Sequence, residues 1–237
     1  MQDPGLRDPR DVALELHSLL VDATGVESFL VEVARGAAGT VDRAQSCGVT
    51  VRDTATSRIL GATTDEFAQR MDDVQYAADD GPCLTCLREG VAISVPDIRS
   101  DQRWPAFARR AAEEGAGSSL SVPMVVRERT VGTLNLYSRT AHALDTTDGA
   151  QAAQFAGYTA AAVALALELA EREQREHHLE TALRSRSTID QAMGVLMGQA
   201  HITAAAAFRI LRQRSHNANV KLRDVAAAVI ADATRQQ

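Results

Sequence analysis

A single long helix organises the predicted architecture of this chain. Asp145-Thr146-Thr147-Asp148 supplies side-chain oxygens that can accept the unpaired backbone N–H groups of a helix start, and the helical pattern continues past Glu180. Several apolar residues fall near one heptad seam of this helix, namely Phe155, Ala162, Leu165, Leu169, Leu179 and Leu183. Arg172 and Glu176 interrupt the seam. These leucines need a partner. A parallel dimeric coiled coil is therefore expected, and packing of the helix against its own domain is the alternative.

The segment before this helix predicts an α+β domain. Residues 11–34 have the spacing of an amphipathic helix broken near Gly25. Helix starts follow at Thr64-Asp65, Pro82 and Pro105. Short β-rich runs lie at 47–51, 59–62, 91–95, 120–126 and 131–137, and the last two are joined by the polar turn Arg127-Glu128-Arg129. The expected fold is an antiparallel sheet flanked by helices.

After Ser187, three short apolar stripes predict a small all-α bundle. Thr203 is placed to cap the second helix, and polar segments at 199–202 and 217–220 separate the three. The stripes contain Ile189, Ala192, Met193, Leu196 and Met197, then Ala207, Phe208 and Leu211, then Leu222, Val225, Ala226, Val229 and Ile230. We expect all of these side chains, including Phe208, to form the core of the bundle.

The charge of the chain is divided unevenly between its two ends. The net charge is -6, yet residues 183–237 hold eight arginines and lysines against three aspartates, a balance of +5 that leaves -11 for the rest. A basic segment on an acidic body favours a polyanionic partner. A solvated helical face is the alternative interpretation of the same charges.

Composition predicts a protein of the reducing cytoplasm. No apolar run approaches the roughly 18 residues that span a bilayer, because Glu168 ends the run that starts at Ala160. The first residues lack the basic start and apolar stretch of a signal peptide. Three cysteines in 237 residues do not make a disulfide scaffold.

One pattern of residues extends across all three stripes of the C-terminal segment, residues 184–230. It consists of Arg186, Ile189, Ala192, Gly194, Leu196, Met197, Ala207, Phe208, Leu211, Arg212, Leu222, Val225 and Ala226. With this pattern the segment resembles the ANTAR family of RNA-binding antiterminators. The resemblance implies binding of paired RNA stem-loops near transcription terminators, which favours the antiterminated form. Met193 departs from the pattern, since many members have lysine there, and its loss would weaken a phosphate contact or change the preferred RNA.

The residues expected to contact RNA combine cations with polar groups that can contact loop bases. They are Arg186, Gln191, Met193, Gly194, Arg212, Arg214, His216, Asn217, Lys221 and Arg223. Phe208 is the only aromatic residue after Tyr158, and its expected burial excludes stacking of bases on aromatic rings. A coiled-coil dimer would present two such domains to two linked loops.

Four stretches of the front segment are distinctive: GPCLTCLREGVAISVPDI at 81–98, RWPAF at 103–107, SSLSVPM at 118–124 and VGTLNLYS at 131–138. In these stretches the front segment resembles a GAF domain of the kind fused to ANTAR modules in actinobacteria. The expected organisation is a flexible arm at 1–10, an α+β GAF sensor domain at 11–160, a coiled-coil linker helix at 161–183 and an all-α three-helix ANTAR domain at 184–237. The expected function is signal-responsive transcription antitermination by a homodimer.

The expected sensor pocket contains Cys47, Cys83, Cys86 and Trp104. Cys83 lies near a helix start that favours thiolate, while small buried hydrophobic side chains are the alternative interpretation of all three cysteines. We expect no metal site, since a second C-x-x-C is absent. The residues identify no cofactor, and no enzymatic activity is expected. The alternatives are a cysteine-dependent GAF enzyme that reduces free methionine sulfoxide and a protein-binding scaffold.

Overall fold

The computed structural model describes Ser18, residues 25–52 and residues 59–235. The chain divides into two compact units, Met1–Glu171 and Arg172–Gln237. The expected arm at 1–10 and the part of the first predicted helix before Gly25 lie outside the described residues, apart from helical Ser18.

The first unit contains a five-stranded sheet in which every neighbouring pair of strands is antiparallel. The strand order is β2-β1-β5-β4-β3. The strands are β1 (Ser46–Arg52), β2 (Ile59–Thr63), β3 (Ile93–Val95), β4 (Ser118–Val126) and β5 (Arg129–Ser138). This arrangement confirms the α+β class and the β4–β5 hairpin expected from the sequence.

The helices of this unit begin where the sequence predicts. They are α1 (Val26–Ala38), α2 (Glu66–Ala78), α3 (Pro82–Glu89) and α4 (Pro105–Glu113). Asp65 caps α2, because its Oδ1 accepts a hydrogen bond of 2.9 Å from the Ala68 backbone N–H. Gly25 precedes α1 with φ 134°, a left-handed backbone conformation that only glycine adopts easily, which confirms the break predicted there.

The hairpin turn is shorter than the sequence suggested. Arg129 is already paired with Val126 in the ladder, so the loop consists of Arg127 and Glu128 alone. Their φ values are 47° and 65°. Positive φ at both positions is the type I′ conformation, whose twist matches that of the flanking strands. Asparagine and glycine are the usual occupants, and two long side chains are strained here.

The two faces of the sheet differ in polarity. Successive strand residues point to opposite faces. One face carries Cys47, Val49, Val51, Leu134 and Leu136, which pack in a core with Phe29 and Leu30 of α1 and with Phe155. The other face carries buried polar residues: Thr50, Ser119, Ser121, Thr133, Asn135 and Tyr137. Because α2 and α3 contact this polar face, its groups are withdrawn from water.

The helix that follows the sheet, α5 (Thr146–Ala200), continues without interruption for 55 residues. It contains both the expected linker and the first stripe of the bundle. An 18-residue window in it has a mean hydropathy of 1.3 and is 33% buried, so by length and composition α5 could cross a membrane, although Glu168 interrupts its apolar run. One helix of this kind does not indicate a membrane protein, because core helices of water-soluble proteins pass the same test.

The second unit contains the end of α5 with α6 (Ala204–Ala218) and α7 (Leu222–Arg235). Its core is formed by Ala192, Leu196, Ala207, Leu211, Ala226 and Val229. Thr203 caps α6 by accepting a hydrogen bond of 3.3 Å from the Ala206 backbone N–H, as the sequence predicts.

Two residues assigned to this core are in fact exposed. Phe208 is 38% exposed and Met197 is 37% exposed. Ala207 and Leu211 lie four residues apart and point inward, whereas Phe208 is rotated by about 100° from Ala207 around the helix. The prediction that Phe208 belongs to the core was therefore wrong.

Candidate functional sites

A buried polar cluster lies between the polar face of the sheet and α2. Asn135 donates from Nδ2 to Thr50 Oγ1 at 2.9 Å and to Asp72 Oδ1 at 3.3 Å, and the same nitrogen lies 3.1 Å from Cys83 Sγ. The Tyr137 hydroxyl donates to Asp72 Oδ1 at 2.5 Å. All five side chains are at most 2% exposed. The cluster is a buried set of hydrogen-bonded groups built from β1, β5, α2 and α3, in which Asp72 Oδ2 and Asn135 Oδ1 have no partner.

A second set of contacts holds α2 and α3 against this cluster. Gln75 donates from Nε2 to the Tyr137 hydroxyl at 3.0 Å, and its Oε1 accepts from the Cys83 backbone N–H at 2.8 Å. The Tyr76 hydroxyl lies 2.8 Å from Thr50 Oγ1. Gly48 makes the close approach possible, because a Cβ there would collide with Asp72 Oδ2.

Asp72 is the ionisable centre of the cluster. Burial raises its pKa to about 7, the neighbouring Asp73 adds to the rise, and hydrogen bonding to Tyr137, Asn135 and Tyr76 opposes it. Among the residues that the structure describes, Asp72 forms no ion pair. Its Oδ2 atom is buried without a hydrogen-bond partner. This acceptor lacks the hydrogen bond that buried carboxylate oxygens normally have.

The three cysteines are free, buried thiols. Burial raises the pKa of Cys83 to about 12, and the charge of Asp72 adds to this rise. Burial also raises the pKa values of Cys47 and Cys86 well above their ordinary range. The loss of solvation outweighs the stabilisation that the start of α3 could give a Cys83 thiolate. All three side chains are therefore neutral thiols near pH 7.

Only one of the four residues expected in the sensor pocket belongs to the cluster. Cys83 lies within 3.3 Å of Thr50 and Thr133 hydroxyls. Cys47 is on the opposite, apolar face of the sheet. Trp104 is 8% exposed and packs in a separate apolar cluster, with the Arg103 guanidinium 4.5 Å from its ring centroid.

The sequence interpretation did not find the rest of the cluster. Thr50, Asp72, Tyr76, Asn135 and Tyr137 were not singled out. A signal was nevertheless present in β5, where Thr133, Asn135 and Tyr137 alternate with leucines at Leu134 and Leu136. Alternation of this kind predicts one polar face, although it does not show whether that face meets water or a pocket.

A basic cleft lies where α6 turns into α7. Its volume is about 910 Å³. Asn219 has φ 51° and ends α6, and Ser215 Oγ donates to the Val220 carbonyl at 2.6 Å, so the turn is held in place. No carboxylate is among the lining residues, which are Arg209, Arg212, Gln213, Ser215, His216, Asn219, Val220, Lys221 and Leu222.

The structure gathers three of the expected RNA-contacting residues in this cleft, namely Arg212, His216 and Lys221. It adds Arg209, Gln213 and Asn219, which the sequence interpretation missed. The remaining expected residues do not line the cleft. Gln191, Gly194, Arg214 and Asn217 are exposed, Met193 packs against the bundle core, Arg186 lies 4.0 Å from Asp190, and Arg223 contacts Asp224 at 3.4 Å.

The fold of the first unit is an antiparallel sheet with helices on both faces and a buried polar cluster on one of them. The GAF domain family model matches residues 23–164, and the chain belongs to that family. The ANTAR domain model matches residues 177–230. The chain is thus a GAF–ANTAR protein, with the architecture of a regulatory RNA-binding antiterminator: GAF domains bind small-molecule signals and ANTAR domains bind RNA.

Solved structures share the fold of the first unit. A GAF domain from an Acinetobacter phosphoenolpyruvate-protein phosphotransferase is 14% identical with a TM-score of 0.50, covering 68% of this chain and 96% of that one. An N-acylhomoserine lactone-dependent LuxR-family transcription factor from Burkholderia cenocepacia is 17% identical with a TM-score of 0.50, covering 69% and 98%. A free methionine-R-sulfoxide reductase from Neisseria meningitidis is 17% identical with a TM-score of 0.48, covering 73% and 95%. The first two likenesses show the fold alone. A comparison with curated proteins finds no match.

Proposed function

We propose that this protein is a cytoplasmic regulator that binds paired RNA stem-loops in nascent transcripts and promotes antitermination in response to a signal at its GAF domain. The observation that carries the proposal is the basic cleft at the α6–α7 turn. It lies within the part of the chain that matches the ANTAR family, and its charged side chains are all cations. RNA is the polyanion that this combination favours.

The cleft offers both kinds of contact that loop recognition requires. Arg209, Arg212 and Lys221 supply cations for phosphate oxygens, while Gln213 and Asn219 supply amide groups for base edges. Phe208 lies one helical turn before Arg212 on the same side of α6 and is 38% exposed. A base can therefore stack on an aromatic ring beside the cleft, which removes the limit that the sequence interpretation placed on recognition.

A role without catalysis fits the state of the cysteines. Thiol chemistry of the sulfoxide-reductase kind needs a thiolate as the nucleophile. Burial holds the Cys83 pKa at about 12, so the thiolate is scarce at neutral pH. This favours a binding pocket over a cysteine-dependent active site as the role of the polar cluster.

A parallel homodimer through α5 is the proposed form of the protein. Leu165 and Leu169 are 47% exposed, Leu179 is 64% exposed and Leu183 is 67% exposed. Leucines at heptad spacing with this exposure are covered when two helices pair. Two linked ANTAR domains would then bind two loops of one transcript with a raised effective concentration for the second contact.

The test is the affinity of the purified full-length protein for an RNA with two stem-loops at physiological salt. The controls are the same RNA with altered loop bases and a scrambled RNA of equal length. We expect binding that depends on the loop bases. Equal affinity for all three RNAs would overturn the proposal and favour a scaffold whose basic cleft binds an acidic protein.

A further inference from the structure

A second cleft, distinct from the basic one, opens at the β2 edge of the sheet. It lies between α1, β2 and α2 and has a volume of about 460 Å³. Glu27, Asp72 and Asp73 give it three carboxyl groups, and none of its described lining residues is a lysine, arginine or histidine. We call it the acidic cleft. Its charge alone favours a cation, which would be attracted from solution.

A buried carboxylate oxygen without a hydrogen-bond partner also points to a ligand for this cleft. The side chain is 2% exposed, and its Oδ1 accepts from Tyr137 and Asn135 while Oδ2 has no partner. Buried polar atoms in folded proteins are nearly always hydrogen-bonded, so an orphaned carboxylate oxygen calls for a donor. Because Asp72 lines the acidic cleft, a molecule in the cleft can supply that donor.

One wall of the cleft packs closely against the polar cluster. Gly61 faces Tyr76, and a Cβ at Gly61 would lie 2.8 Å from the Tyr76 hydroxyl oxygen. That hydroxyl lies 2.8 Å from Thr50 Oγ1, which ties it to the polar cluster. Among the described residues, no group of three histidine, cysteine, aspartate or glutamate side chains could hold a metal ion. An N–H group on an organic cation can supply both a hydrogen-bond donor and the positive charge that the three carboxyl groups attract.

We propose that the acidic cleft binds a small protonated amine, whose ammonium group donates a hydrogen bond to Asp72 Oδ2 and neutralises its charge. The inference rests on the proposed sensing role of the GAF domain and names the chemical class of the signal. The ammonium group supplies the positive charge and the donor that Asp72 lacks, and the 460 Å³ volume accommodates a short alkyl chain.

The charge of Asp72 makes binding dependent on pH. The titratable groups around Asp72 are Asp73 and Tyr76 on α2, Tyr137 on β5, Cys47 on β1 and Cys83 on α3, none of them a cation. Its pKa is about 7 in the free protein, and an alkylamine stays protonated at pH 8. Because the ammonium binds the ionised carboxylate, affinity should rise roughly tenfold from pH 6 to pH 8.

The probe is n-butylammonium chloride, compared with n-butanol and sodium butyrate at constant ionic strength. Binding to the full-length protein is measured by calorimetry and by the shift in Tm. We expect saturable binding of n-butylammonium only, lost at least tenfold in Asp72→Asn. Glu113→Gln removes an exposed carboxylate on α4 outside the cleft and should leave binding unchanged. Absence of saturable binding, equal binding of n-butanol, or retained binding in a folded Asp72→Asn variant would overturn the proposal.

If Asp72→Asn does not fold, the unmodified protein decides the question. A roughly tenfold gain in affinity between pH 6 and pH 8 supports the proposal, and no gain overturns it. RNA binding is measured separately on the same preparation. Amine binding without loop-dependent RNA binding would refute the proposed function alone, and the reverse result would refute only the identity of the signal.

Discussion

The Tyr137 hydroxyl donates a hydrogen bond of 2.5 Å to Asp72 Oδ1 and so joins the central part of the sheet to α2. The two residues are 65 positions apart in the chain. This bond and the one from Asn135 stabilise the ionised form of a carboxyl group that burial would otherwise keep protonated. The balance places the charge of Asp72 within the range of pH at which cells work.

Asp72 should make the stability of the protein fall as pH rises. Its pKa is about 7 in the folded protein and near the ordinary 3.8 in the unfolded chain. Between these values the folded protein holds a proton that the unfolded chain has lost, so the free energy of unfolding decreases with rising pH. Above pH 7 the total loss is on the order of 4 kcal/mol.

Urea unfolding between pH 5 and pH 8 measures this effect. Asp72→Asn should flatten the decline, while Glu113→Gln should retain it. Asp145, whose pKa is lowered to about 2, stays ionised throughout this window and does not contribute. Parallel curves for the native protein and Asp72→Asn would contradict the assignment.

Relief of the hairpin turn should stabilise the first unit. Replacing Arg127-Glu128 with Asn-Gly puts residues that tolerate positive φ at both positions and should raise the free energy of unfolding by about 1 kcal/mol. The urea midpoint reports the change. Glu128→Gln is the matched control, because it alters the charge and leaves the backbone strain, and it should have little effect. An unstable Asn-Gly variant would show that the long side chains make contacts that offset the strain.

Cations of the basic cleft should contribute to RNA binding through phosphates. Arg212→Gln and Lys221→Gln should each weaken binding to stem-loop RNA and reduce the slope of log affinity against log salt by about 1. Arg235→Gln removes an exposed cation that pairs with Asp232 outside the cleft, and it should change neither quantity. Filter binding at several salt concentrations measures the RNA affinity and the slope of log affinity against log salt. An equal loss in all three variants would indicate attraction to the bundle as a whole.

Charges in the α5 seam should separate the proposed dimer. Leu169→Lys combined with Leu179→Lys places like charges where two helices would meet. Light scattering should show monomers, with the affinity for paired stem-loops reduced by about a hundredfold. Gln174→Lys adds a charge at an exposed position outside the heptad seam and should leave the dimer intact. A dimer that survives the double substitution would place the interface elsewhere.

Capping residues and turn residues close to each boundary predicted most of the helix starts and the hairpin of β4 and β5. The oxygens of Asp65 and Thr203 cap the helices that follow them, and Pro82 lies in the first turn of α3, as expected from residues within four positions. The exposure of Phe208 was missed because neighbouring residues of a helix can lie on its buried and exposed sides. The packing of the helix, rather than helix propensity, decides which of the two points inward.

The candidate pocket was harder to predict for a related reason. Asp72 occurs in an ordinary polar stretch of α2, and its meeting with Tyr137 depends on how that helix crosses the sheet. The cysteines were chosen from the sequence because thiols have distinctive chemistry. Burial keeps the Cys83 thiol neutral near pH 7, so the carboxyl group of Asp72 is the ionisable group of the cluster instead. Burial depends on the tertiary structure and cannot be predicted from the spacing of a motif.

Strand β5 serves both faces of the sheet, with Leu134 and Leu136 on one and Asn135 and Tyr137 on the other. Loss or gain of one residue within it would exchange the two sets, sending an amide and a phenol into the apolar layer and leucines among the polar groups. Descendants of this gene can therefore alter the pocket one side chain at a time, whereas a codon deletion in this strand would abolish the pocket and the core together. Over evolutionary time, β5 should diverge in composition and keep its length.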